Sequence, residues 1–172
     1  MIEKLLYNIF RSKEAVSYPE ISDASEKALL AEAKETIDKV FGRSLRIRQV
    51  DAGSCNACEW ECIALTNPVY DVQRFGIDFV ASPRHADVLL VTGPVSVAMV
   101  EALKKTYDAT PTPRLVIACG DCAKDGGVYR GSYAVTDGVH NIVPVDGYIT
   151  GCPPTPASLI RGIVDIVAGR IK

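Results

Sequence analysis

The spacing of apolar positions changes along the chain, and the changes divide it. Ile2, Leu5, Leu6, Ile9 and Phe10 recur at the spacing of one helical face, which predicts an amphipathic helix over 2–11. Its polar face mixes Glu3, Lys4, Asn8 and Arg11. That mixture favours a partner protein over bare lipid, the plainer alternative being a helix docked on its own domain. Residues 13–24, with Pro19, read as a linker. A second helix is expected over 26–41, with Ser25 as N-cap and Gly42 as C-terminal stop.

From residue 45 the period shortens. Leu45-Arg46-Ile47-Arg48-Gln49-Val50 alternates as a strand does. Short apolar runs over 76–80, 86–91 and 115–118 predict three more strands, and 143–149 a last extended piece. Helices are expected over 59–65, 96–107 and 157–171, the last with Leu159, Ile160, Ile163, Val164 and Val167 on one face. Short strands alternating with helices imply βαβ units, hence an α/β domain over 45–172 built on an open parallel sheet. The segment 1–44 then reads as a helical extension and linker for docking a partner. Ligands of such sheets sit at the carboxyl ends of the strands.

Composition narrows the class. With 172 residues, 48% hydrophobic and 23% charged, the chain can bury a real core. A formal net charge of −2 gives no electrostatic reason to expect nucleic acid. No apolar run reaches the roughly 18 residues of a membrane-spanning helix, and the N-terminus has no secretory-signal pattern. The six cysteines are therefore expected in a reducing compartment, where clustered thiols serve as ligands or catalysts.

Four of the six fall in loops that follow expected strands. Cys55 and Cys58 lie in Gly53-Ser54-Cys55-Asn56-Ala57-Cys58, Cys122 in Gly120-Asp121-Cys122-Ala123, and Cys152 in Gly151-Cys152-Pro153-Pro154. The sheet would deliver all four to one edge, although the pattern is C-x2-C-x63-C-x29-C. One close pair and two distant single cysteines fit an iron–sulfur cluster cupped by loops better than structural zinc, which usually has two close pairs. Two other readings stay open: a redox-active Cys55/Cys58 pair, and zinc held by Cys55, Cys58, Cys119 and Cys122. Cys62 and Cys119 are expected to pack as buried neighbours.

The same stretches resemble a known family. Gly53-Ser54-Cys55-Asn56-Ala57-Cys58-Glu59-x-Glu61, Arg74-Phe75-Gly76-Ile77, Ser82-Pro83-Arg84-His85-Ala86-Asp87, Cys122-Ala123-x3-Gly126-Gly127 and Val143-Pro144-Val145-Asp146-x5-Cys152-Pro153-Pro154 are similar, in order and spacing, to the small subunit of membrane-bound, energy-converting [NiFe] hydrogenases. That family is homologous to the 20-kDa subunit of respiratory complex I. The resemblance runs from about Arg46 to the C-terminus. It implies a flavodoxin-like fold and one [4Fe-4S] cluster, with Cys55, Cys58, Cys122 and Cys152 as its ligands at the carboxyl edge of the sheet.

It further implies an electron-transfer role without a catalytic centre of its own. The cluster would lie next to the active site of a large [NiFe]-hydrogenase-like or complex I 49-kDa-like partner. A ferredoxin-like iron–sulfur subunit and membrane-arm subunits would complete the complex, with this chain peripheral on the cytoplasmic face. Complex I proteins typically have adjacent cysteines where this chain has C-x2-C, which favours the hydrogenase branch. A complex I-like ferredoxin or quinone oxidoreductase subunit is the alternative. The departures (Cys62, Cys119, Gly147, Thr150 and Trp60) remove no ligand. Glu61 is the candidate for proton transfer, against helix capping for Glu59 and Glu61. Arg84 and His85, in a loop expected at the cluster's edge, are candidates for tuning its potential, with an Arg84–Asp87 ion pair or a surface histidine as the plainer readings.

Overall fold

The computed structural model describes residues 24–169; the expected helix over 2–11 and the linker up to 23 lie outside them. The first described element is α1, Ala24–Phe41. Ser25 lies inside this helix and is not its N-cap. Leu29, Leu30, Ala33 and Ile37 form its buried stripe, while Glu35 and Lys39 pair at 2.7 Å on the exposed side.

Five strands follow: β1 Leu45–Asp51, β2 Ile77–Phe79, β3 Val88–Thr92, β4 Leu115–Cys119 and β5 Gly147–Ile149. They form one parallel sheet in the order β2-β1-β3-β4-β5. This is the flavodoxin-like order, with its reversal between β1 and β3. The helices are α2 Ala57–Ala64, α3 Val100–Ala109, α4 Asp121–Asp125 and α5 Pro156–Gly169. A 3-10 turn over Val97–Met99 precedes α3, so the helix expected over 96–107 starts later and runs to Ala109. The extended piece expected over 143–149 is a strand only at its end. Asp146 nevertheless joins β4, through its amide to the Val116 carbonyl at 2.8 Å and its carboxylate to the Val116 amide at 2.7 Å.

Every residue of β3 and β4 is buried, because helices cover both faces there. One face of the sheet packs Leu45, Ile47, Ile77, Leu90, Ile117 and Ile149 against α1 and α5. The other packs Val50, Leu89, Val91, Val116 and Ala118 against Leu103 of α3. Each fully buried Leu or Ile contributes about 1.5–3 kcal/mol. Helix α1 thus completes the first of these layers. The split expected at residue 44 puts a core helix outside the domain, whereas the packing places Ala24–Phe41 inside it.

Between β2 and β3 the described chain forms only the 3-10 turn Pro83–His85. Among the described residues the face of β1 and β2 that carries Arg46, Arg48 and Asp78 is only partly covered: Arg46 is exposed, whereas Val50, further along β1 on that face, packs with Leu103 of α3.

Candidate metal centre

Three loops leave the carboxyl edge of the sheet, and each is fixed by its own polar contacts. After β1, the Asp51 carboxylate accepts the amides of Gly53 and Ser54 at 2.8 and 2.9 Å. The Ser54 hydroxyl accepts the Asn56 amide at 3.0 Å and donates to Glu59 at 2.7 Å. Thr92, at the end of β3, donates its hydroxyl to the other Glu59 oxygen. Glu59 is 7% exposed, a buried carboxylate that ties the start of α2 to β3. Asn56 opens α2 at φ 75°, a left-handed conformation that asparagine tolerates better than most residues. The outcome is Cys55 exposed at the loop tip and Cys58 half-buried in the first turn of α2.

The other two loops are joined to each other. Gly120 donates its amide to the Ile149 carbonyl at 2.7 Å and Asp121 to that of Gly151 at 3.0 Å. The Asp121 carboxylate accepts the Gly151 amide at 2.9 Å. This pairing holds Cys122, buried in α4, beside the exposed Cys152. Asp121 and Thr92 are the residues that sequence reasoning missed. An acid immediately before Cys122 was the only signal of the first, and nothing marked the second.

The four sulfurs share one neighbourhood. Burial pushes the Cys122 thiol up, and the charges of Cys152, Cys55 and Cys58 push the same way. A hydrogen bond with Cys119 holds the Cys58 thiol below its ordinary range, which favours the thiolate. Cys119 is pushed up by its hydrogen bonds with Cys58 and Cys62, then by burial, and stays protonated. Cys119 and Cys62 are 0% and 2% exposed, part of the apolar core beneath Cys58.

Whether these residues suit a cluster can be judged from the space around the sulfurs. A Cβ at position 120 would lie 2.7 Å from the Cys58 sulfur, and one at position 127 would lie 3.0 Å from the Cys122 sulfur. Only glycine leaves both thiols room beside the backbone. Among the described residues no three His, Cys, Asp or Glu side chains are close enough to hold one metal ion. Zinc on Cys55, Cys58, Cys119 and Cys122 would need these side chains to move.

Glu61 is half-buried on α2, beyond the first turn, so the capping reading fits Glu59 and not Glu61.

Arg84 and His85 do not join the cysteine loops. They line a groove with Arg43, Arg46 and the turn 111–113, at the amino edge of the sheet. The expectation that their loop lies at the cluster's edge is overturned by the length and register of β2. Three residues long, it pairs only with Leu45–Ile47, and the connection to β3 stays at that level. From Arg46 to the end of β1 is about 17 Å of strand. Asp87 pairs with Arg43 rather than Arg84. At that separation, across a packed sheet, Arg84→Met is expected to leave the potential of any bound cluster unchanged in an anaerobic redox titration followed by EPR.

Residues 55–166 match the family described as NADH ubiquinone oxidoreductase, 20 Kd subunit. The chain is 42% identical over 144 residues to a Pyrococcus furiosus protein named "Probable membrane-bound hydrogenase subunit mbhJ", covering 84% of this chain and 86% of that one. It is 44% identical over 133 residues to formate hydrogenlyase subunit 7 of Escherichia coli, covering 77% of this chain and about half of that protein's length (52%). Among solved structures, a chain of the membrane-bound sulfane sulfur reductase, an archaeal respiratory membrane complex, superposes with a TM-score of 0.64 at 31% identity. That match covers 80% of this chain and 77% of the other.

Proposed function

The chain belongs to the NADH ubiquinone oxidoreductase 20 Kd subunit family, and from that membership we propose that it is the electron-transfer subunit of a membrane-associated, [NiFe]-hydrogenase-like complex. In this reading Cys55, Cys58, Cys122 and Cys152 hold one [4Fe-4S] cluster next to the active site of a large partner subunit. The observation that carries it is the convergence of these four thiols from three separate loops. When bound, the cluster supplies one-electron transfer. The protein's part is to present thiolates and fix their positions: Asp51 and Glu59 order the first loop, Asp121 couples the other two, and Cys119 lowers the proton affinity of Cys58. Glu61 remains our candidate for passing protons at the edge of the site.

The surface around the site suits a large partner. Trp60 is 64% exposed, and Ile63, Val97, Val128 and Tyr133 are exposed as well, on α2 and on loops at the carboxyl edge. Apolar side chains gathered beside a redox centre mark a protein contact. We assign the amphipathic segment 2–11, a ferredoxin-like subunit and membrane-arm subunits to the same assembly, on the cytoplasmic face. No helix among the described residues is long and apolar enough to cross a membrane. The likeness to the sulfane sulfur reductase chain supports a second reading, a hydrogenase-like complex that reduces a different acceptor.

Anaerobic purification of the complex, with iron, sulfide and zinc analysis and low-temperature EPR after reduction, tests the proposal. About four iron and four sulfide per copy of this chain, beyond those of its partners, with a reducible signal, is the expected result. Zinc without a reducible signal overturns it.

A further inference from the structure

The amino edge of the sheet carries a feature that the metal centre does not use. Arg43, Arg46, Arg84 and His85 line a groove of about 310 Å3, walled by Phe41 and the turn 111–113. Among the described residues Asp87 is the one carboxylate that lines it. Its oxygens are already engaged by the Arg43 guanidinium at 2.8 and 2.9 Å and by the Arg46 amide at 3.0 Å. Arg46, Arg84 and His85 are exposed, and among the described residues none has a carboxylate within ion-pair distance. Asp78 stands opposite Arg46 on β2 without pairing with it. A chain of net charge −2 thus gathers two unpaired guanidiniums and an imidazole at one edge.

A second observation lies two residues along β1, on the same face. The Arg48 Nε is buried and has no hydrogen-bond partner. A buried guanidinium N–H without an acceptor is unfavourable, and most such donors in folded proteins are satisfied. Arg46, its neighbour on this face of the strand, is exposed. An acceptor brought by another molecule would satisfy the donor.

We propose that this groove and the adjoining face of β1 bind an acidic polypeptide segment of a neighbouring subunit. Its carboxylates pair with Arg46 and Arg84, and one of its oxygens accepts from Arg48. The cationic positions are arginines, whose planar fork matches carboxylate geometry. They extend along the strand, with Arg46 and Arg48 about 7 Å apart. That spread suits successive side chains of an extended peptide better than one phosphate. The groove is recessed behind Phe41 and the 111–113 turn, which suits an inserted segment better than a flat lipid surface.

The test uses the intact complex with Arg46→Lys or Arg84→Lys in this chain. A carbodiimide then joins the introduced amine directly to any carboxylate in contact, and mass spectrometry locates the bond. Bonds to Asp or Glu of another subunit are expected. In parallel, the double variant Arg46→Glu/Arg84→Glu is expected to leave the complex during a salt wash that retains the unmodified chain. Its EPR signal per chain should be unchanged, which separates loss of docking from loss of the cluster. Bonds only to Asp78 or Asp87 of the same chain, no bonds at all, or equal retention in salt would each overturn the proposal. So would binding of the chain to phosphatidylglycerol vesicles, or to inorganic phosphate, that the double variant abolishes.

Discussion

Replacing Cys152 by alanine is expected to abolish the EPR signal of the reduced cluster and to lower iron by about four atoms per chain, while the chain still folds. Cys152 is exposed, so its side chain contributes little to the core, and truncation leaves no cavity. The loop around it is held by backbone contacts of Gly151 with Asp121, which do not use the cysteine side chain. What the substitution removes is one of four thiolates. Cys62→Ala is the matched control. Cys62 is 2% exposed and packs in the core beside Cys119, so its loss should cost about 1 kcal/mol of stability while iron content and the EPR signal persist. Iron loss in Cys62→Ala with retention in Cys152→Ala would reverse the ligand assignment.

Gly120→Ala is expected to destabilise the protein by about 2–4 kcal/mol, lowering the midpoint of thermal unfolding by roughly 5–15 °C, and to prevent normal cluster loading. Position 120 has φ 89° and ψ 160°, a backbone region that only glycine occupies comfortably. A Cβ there would also stand 2.7 Å from the Cys58 sulfur, inside van der Waals contact. Relief requires either Cys58 to turn away or β4 and the β5 loop to separate, and the Gly120–Ile149 hydrogen bond at 2.7 Å resists the second. Thermal melts followed by circular dichroism, with iron analysis of the same sample, measure both effects. A variant with unchanged melting and full iron would show that the loop is more compliant than this geometry implies.

Most of the scaffold was legible in the residue pattern. The runs at 86–91 and 115–118 are apolar throughout because helices cover both faces of the central strands, and they became β3 and β4. The alternation in 45–50 marks a strand with one face in the core and the other partly exposed, as β1 is. Boundaries moved where local signals competed. Ser25 resembles a cap, but the helix continues past it, so position 25 lies inside α1. Short-range sequence contains nothing that says whether a 16-residue segment before the first strand joins the core; its burial against α5 is a tertiary fact.

The candidate site divides in the same way. That four thiols would gather at the carboxyl edge of a parallel sheet followed from the sequence alone. Parallel strands run in one direction, so loops that follow strands reaching the same level leave by one edge whatever their distance along the chain. The sequence also determined the donor type, because cysteine is the residue with a metal-ligating side chain that recurs in all three loops. Contacts between residues that the chain does not bring near each other were decided by the tertiary structure. It set Thr92 against Glu59, Asp121 against Gly151 and Cys119 against Cys58, and it sent Arg84 and His85 to the far edge. The physical reason is register. Residue spacing specifies which face of a strand a side chain occupies, but where a short strand such as β2 pairs along its neighbour depends on packing across the whole sheet.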